Sequence, residues 1–194
     1  MKLFLLFLII TPFIGFSQAT GYMPGYLVTN NGDTVNGLIK HISGFPYQVL
    51  FREIKYKDAN GKNKKTYAST EVKAFHINAD SSTDFHIDSE FYVSMKFQSD
   101  SIKDFVKVEI EGTALNYYSM IESVSPGQSN FFKILKKKNG SIYYFVSNGA
   151  FIKFKKNITE FLSDAPELCN KIINGVYGKG DLVKIVDEYN SLDR

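Results

Sequence analysis

The sequence predicts an α+β fold: an antiparallel β-meander sheet, curled or barrel-like, followed by about three short C-terminal helices. Two observations carry this expectation. Asn-Gly recurs at Asn31-Gly32, Asn60-Gly61 and Asn139-Gly140, each time between segments rich in β-branched and aromatic residues, which is the pattern of a β-hairpin. After Asn148 the apolar spacing changes from two residues to three and four, the period of an amphipathic helix.

Taken in order, the chain opens with Lys2, the apolar run "LFLLFLIITPFIGF" and then Ser17 and Ala19. A charged start, an apolar stretch and small residues at the −3 and −1 positions describe a secretory signal peptide over residues 1–19, cleaved before Thr20. The run is shorter than the ~20 residues a membrane-spanning helix needs. Residues 20–194 then form one β-rich domain, with its helical part at about 149–194. Export through the Sec pathway to the periplasm, the outer membrane or the exterior is the expected localisation, with no transmembrane segment after cleavage.

The first hairpin is "GYLVTNNGDTVNGLIK", the second lies in "VLFREIKYKDANGKNKKTYA" and the last in "FFKILKKKNGSIYYFV". Between them "EVKAFHI", "FHIDSEFYVSMKF", "FVKVEIEG" and "ALNYYSM" read as strands. Gly112 divides the last two as a turn or bulge, and "SVSPGQSN" reads as a loop. Phe151, Phe154, Ile158, Phe161 and Leu162 mark a first helical face. A second helix is expected after Ser163 or Asp164 as cap, with Pro166 in its first turn and Gly175 ending it. Asp181 is expected to cap a third, with Leu182, Ile185, Val186 and Tyr189 on its apolar face.

Three of these segments, "GYLVTNNGDTVNGLIK", "EIEGTALNYY" and "LCNKIINGVYGKGDLVKIVDEYN", resemble secreted proteins of unknown function common in Bacteroidota-type bacteria. The resemblance implies export and a β-rich fold with a helical end. It supplies no catalytic residues.

Composition narrows the function. Against 23 Lys and Arg stand 20 Asp and Glu, a formal charge of +3 that falls to +2 once Lys2 is removed. Such a balance argues against nucleic acid as the main partner. The single Cys169 allows no internal disulfide and, lying between Leu168 and Ile172 of an amphipathic helix, reads as a buried structural thiol. No nucleophile elbow, zinc-helix motif, phosphate loop or dinucleotide fingerprint is present, and no cofactor is implied.

Several groups of residues remain as site candidates. Asn78, Asp80, Ser82 and Asp84 alternate like the start of a calcium loop, but Thr83 and Ser89 stand where that loop requires Gly and Glu. His86, Asp88 and Glu90 share one strand face, and with His76, Asp80 or Asp84 they form a candidate metal set; a solvated strand face gives the same pattern. Tyr117-Tyr118 and Tyr143-Tyr144 place adjacent rings on opposite faces, a candidate binding surface unless helices cover it. Lysines gather at 62–65, 136–138 and 153–156, where solvated charge and edge protection are the ordinary explanation and attraction to acidic envelope lipids or polysaccharide the other. The expected function is an exported, non-catalytic binding or structural module whose partner is an envelope protein or surface polysaccharide. The alternatives are an adaptor docking on an outer-membrane or surface assembly, and a metal-dependent hydrolase using residues 76–90.

Overall fold

A computed structural model describes residues 21–40, 52–78, 89–96, 103–125, 128–147 and 153–192. Ten strands form one antiparallel sheet: β1 (Tyr22–Thr29), β2 (Thr34–Lys40), β3 (Glu53–Asp58), β4 (Lys64–Ala68), β5 (Val72–Ile77), β6 (Glu90–Met95), β7 (Asp104–Ile110), β8 (Leu115–Ser125), β9 (Gln128–Lys137) and β10 (Ile142–Val146). Three helices follow, α1 (Phe154–Phe161), α2 (Pro166–Ile173) and α3 (Leu182–Ser191). This is the predicted α+β architecture.

All three Asn-Gly hairpins form. In each the glycine takes a positive φ, +96° at Gly32, +71° at Gly61 and +91° at Gly140, while the preceding asparagine does not. Gly32 N–H donates to Thr29 O and Gly140 N–H to Lys137 O, each at 3.0 Å. The first and last hairpins are therefore three-residue loops that end on a left-handed glycine.

The strand order is β10-β9-β8-β7-β6-β5-β1-β2-β3-β4. The meander is broken once, where the chain leaves the β4 edge and returns to pair β5 with β1, Leu27 opposite Phe75. Only residues 69–71 join β4 to β5. In a flat sheet these strands would lie four spacings apart, about 19 Å, whereas so short a link reaches about 14 Å. The sheet must therefore curl. The curl closes at Ser69, whose Oγ donates to Lys103 O at 2.6 Å and whose carbonyl accepts from Ser94 Oγ. Arg52 joins the closure by its contact with the buried Asp104 at 3.4 Å.

Two glycines make the curl possible. A Cβ at Gly25 would fall on His76 O, and one at Gly37 would fall on the Tyr56 ring, so the backbone approaches closely only because no side chain intervenes. Tyr56 fills the space over Gly37 and donates its hydroxyl to Asn36 O at 2.8 Å. Inside the curl Met23, Leu27, Ile39, Ile54, Tyr56, Val72, Phe75, Ile77, Tyr92 and Phe105 form one core, with Phe75 stacked on Tyr92 at 4.5 Å.

The same inner face continues along β8–β10 and is covered there by the helices. Leu115, Tyr117 and Leu135 pack with Ile158, Leu162, Leu168, Ile172, Ile185 and Tyr189. Strand alternation puts Tyr118, Met120, Phe132, Ile134 and Val106 on the opposite face, where they form a third buried cluster.

Local details depart from expectation in two places. The segment expected as a loop at residues 123–130 is mostly strand, with Ser123 paired to Ser129 and Ser125 to Gln128; Pro126 and Gly127 lie outside the described residues. The N-cap of α2 is Ala165, and Asp181 makes no side-chain cap bond to α3. Asp164 instead binds Lys137 at 2.7 Å and accepts from the Tyr189 hydroxyl at 2.7 Å, and Asp181 accepts from Gly178 N at 3.0 Å within the turn before α3. Pro166 does open α2, and Gly175 ends it at φ +78°. There Gly175 N–H bonds Ile172 O and Val176 N–H bonds Lys171 O, a Schellman closure.

Candidate functional site

The outer face of the curled half is the part of the sheet where side-chain chemistry collects. Its register is set by the pairs Phe91 with His76 and His76 with Tyr26, so three rings from β6, β5 and β1 lie side by side. Tyr26 stacks on His76 with centroids 5.0 Å apart and planes 17° from parallel, and Phe91 lies 6.3 Å from His76. All three are half-buried.

The imidazole is held at both nitrogens. Nδ1 lies 3.0 Å from Asn78 Oδ1 and Nε2 lies 2.7 Å from Ser89 Oγ. An amide oxygen only accepts, so Nδ1 carries the hydrogen of that bond; in the neutral ring Nε2 is then the acceptor for the Ser89 hydroxyl. The three groups join the end of β5 to the start of β6. In the sequence Ser89 stands out only as the residue that spoils a calcium loop; its pairing with His76 depends on the β5–β6 register, which no local pattern displays.

Beside the rings runs a lysine row. Tyr22 faces Lys40, Leu38 faces Lys57, Lys57 faces Lys64 and Lys55 faces Thr66. Alternation places Lys40, Lys55, Lys57 and Lys64 on the face that holds Tyr26 and His76. Lys57 Nζ sits 3.8 Å above the centroid of Tyr22, a cation–π contact that keeps the ammonium on this surface.

The candidate metal set is divided by the fold. His76 and Glu90 occupy opposite faces of the sheet: Glu90 pairs with Ile77, and its carboxylate accepts from Tyr92 at 2.9 Å and Lys107 at 3.0 Å. Asp80, Asp84, His86 and Asp88 lie outside the described residues. Among the described residues no group of three or more His, Cys, Asp or Glu side chains is placed to hold a metal ion.

The four tyrosines are also divided. Tyr117 is buried beneath the helices and Tyr118 in the opposite cluster, because both faces of β8 are covered. Tyr143 is half-buried against Phe145 and Phe161, at 5.8 and 5.7 Å, and burial pushes its phenol up to about 12. Tyr144 is 41% exposed and near Phe132. Cys169 is buried, lies 3.1 Å from Leu162 O and has its thiol pushed up by burial, the state of a structural thiol.

No family model, curated protein or solved structure matches the chain. Among the described residues, no helix is long and apolar enough to cross a membrane.

Proposed function

We propose that the protein is an exported, non-catalytic module of the cell envelope that binds its partner, an envelope protein or a surface polysaccharide, through the outer face of β6-β5-β1-β2-β3-β4. One observation carries this reading: three adjacent strands present Phe91, His76 and Tyr26 as a half-buried row of rings. A sheet face that merely meets water carries polar residues at such positions, whereas a row of half-buried rings is a surface on which a partner can pack. Export is supported by the charged, apolar and small-residue pattern of residues 1–19. Fractionation of cells producing the protein tests both parts. The expected outcome is recovery with the envelope, and release into the soluble fraction by the double variant Tyr26→Ala, Phe91→Ala. A cytosolic wild type, or a double variant retained as well as the wild type, overturns the reading.

A hydrolytic reading rests on the Ser89–His76–Asn78 sequence of hydrogen bonds, the order of nucleophile, base and orienting group in acyl hydrolases. It replaces the metal-dependent mechanism expected from residues 76–90 with a serine. Labelling by a fluorophosphonate probe, lost in Ser89→Ala and in His76→Ala, supports it. Absence of labelling on folded wild-type protein rejects it and leaves the bonds as a clasp between β5 and β6.

A further inference from the structure

We propose that Asn139 is a site of spontaneous covalent modification: its side-chain amide cyclises onto the Gly140 nitrogen and is hydrolysed to an aspartyl or isoaspartyl residue, faster than at the other two Asn-Gly hairpin turns.

The chemistry needs only the chain and water. The Gly140 nitrogen gives up its proton to solvent and attacks Cγ of Asn139, the Cγ–Nδ2 bond breaks, and the amide nitrogen leaves as ammonia. A succinimide remains. Water then adds to either of its carbonyl carbons, the C–N bond at that carbon breaks, and the ring nitrogen takes back a proton. Position 139 becomes a carboxylate joined to Gly140 through its main-chain carbonyl or through its side chain, and the second product carries an extra methylene in the main chain. A glycine after the asparagine leaves the attacking nitrogen uncrowded.

The same dipeptide stands at Asn31, Asn36, Asn60, Asn148 and Asn174, so residue type alone does not single out Asn139. Asn36 sits inside β2 and Asn174 at the end of α2, in different backbone settings, and Asn148 lies outside the described residues. The informative comparison is among the hairpin turns. In all three the asparagine is exposed, the glycine has a positive φ, and its N–H donates to the carbonyl three residues back: Gly32 to Thr29, Gly61 to Asp58 and Gly140 to Lys137. The nucleophile is presented alike in each.

The electrophile is not. The Asn139 amide oxygen accepts from Ser141 N–H at 2.9 Å, whereas among the described residues the Asn31 and Asn60 side-chain amides have no hydrogen-bond partner. That bond acts in two ways. A donor on the amide oxygen stabilises the negative charge that gathers there as the nitrogen adds, as in an oxyanion hole. The ring closed by the bond contains both reacting atoms, so rotations that the unheld side chains of Asn31 and Asn60 must surrender are already fixed. Local charge points the same way. Lys136 and Lys138 adjoin this turn, whereas Asp33 adjoins the first and Asp58 bonds Lys62 N–H within the second, so a developing anion is favoured at Asn139.

Incubation of the folded mature protein in mildly alkaline buffer, followed by site-resolved peptide mass spectrometry, tests the assignment. Isoaspartate is expected at position 139 about threefold to tenfold faster than at 31 or 60, the span of one hydrogen bond, and the three rates are expected to converge in concentrated urea. Ser141→Pro removes the donating N–H and should bring position 139 down to the rate of the other turns, while Ser141→Ala keeps that N–H and should keep the rate. Equal or slower conversion at 139 in the folded protein, or a preference that survives in urea, overturns the proposal. So does a rate at 139 that Ser141→Pro leaves unchanged. Should Ser141→Pro fail to fold, the comparison of folded and urea-treated wild type decides alone.

Discussion

Asn190, near the end of α3, is plugged into the backbone of Leu115 at the start of β8. Its Oδ1 accepts from Ala114 N at 2.9 Å and Leu115 N at 2.8 Å, and its Nδ2 donates to Leu115 O at 2.9 Å. A Cβ at Gly112 would fall on the Asn190 amide. The bend between β7 and β8 is thus shaped around a side chain from the far end of the sequence, and the helices and sheet are joined by polar as well as apolar contact.

Asn190→Ala leaves three backbone groups without this partner. At about 1–3 kcal/mol for each buried group that water does not reach, a loss of several kcal/mol is expected in urea denaturation. Asn190→Asp keeps the acceptor, loses the donor and should fall between. A change below about 0.5 kcal/mol in the alanine variant would show that the amide plugs nothing.

Ile185 is fully buried in the helix-to-sheet core. Ile185→Ala should cost about 2–5 kcal/mol, and deletion of residues 176–194 should bare Leu115, Tyr117 and Leu135 and cause aggregation. A deletion variant that remained monomeric with an unchanged melting temperature would make the helices a separate docking device.

Asp164 supplies a pH dependence. Burial raises its carboxyl, but the hydrogen bonds from Lys137 and Tyr189 and the Lys137 charge outweigh that and hold it at about 2, below its ordinary 3.8. A carboxylate depressed in the folded state contributes stability above its unfolded value and loses it as pH falls through the folded one. The wild type should therefore lose more stability than Asp164→Asn between pH 4 and pH 2, with the two curves parallel above about pH 5. Parallel curves throughout would show that the pair contributes nothing; the half-exposed carboxylate and solvent screening keep the effect modest.

Both nitrogens of His76 are already engaged, by Asn78 and Ser89. Chelator is accordingly expected to leave the melting curve unchanged, and elemental analysis to give substoichiometric zinc for wild type and His76→Ala alike. Stoichiometric zinc lost in His76→Ala would restore the metal-dependent reading.

Short-range pattern accounts for the local elements. Asn-Gly followed by a resumed alternation places three hairpins, because a left-handed glycine sets both the turn and the register of the strands beside it. Leu168, Ile172, Leu182, Ile185, Val186 and Tyr189 likewise mark their helices, since the stripe they form must be buried. The tertiary structure decided everything that depends on pairing across the chain. That β5 returns to β1 follows from the curl; that Ser89 meets His76 and that four lysines from three strands form one row follow from the register between neighbouring strands, and that Tyr117 and Tyr118 are buried in clusters on opposite faces of one strand follows from what packs on each face. The curl depends on a link too short for a flat sheet and on Gly25 and Gly37 admitting close contacts, and neither distance is encoded in any window of neighbouring residues.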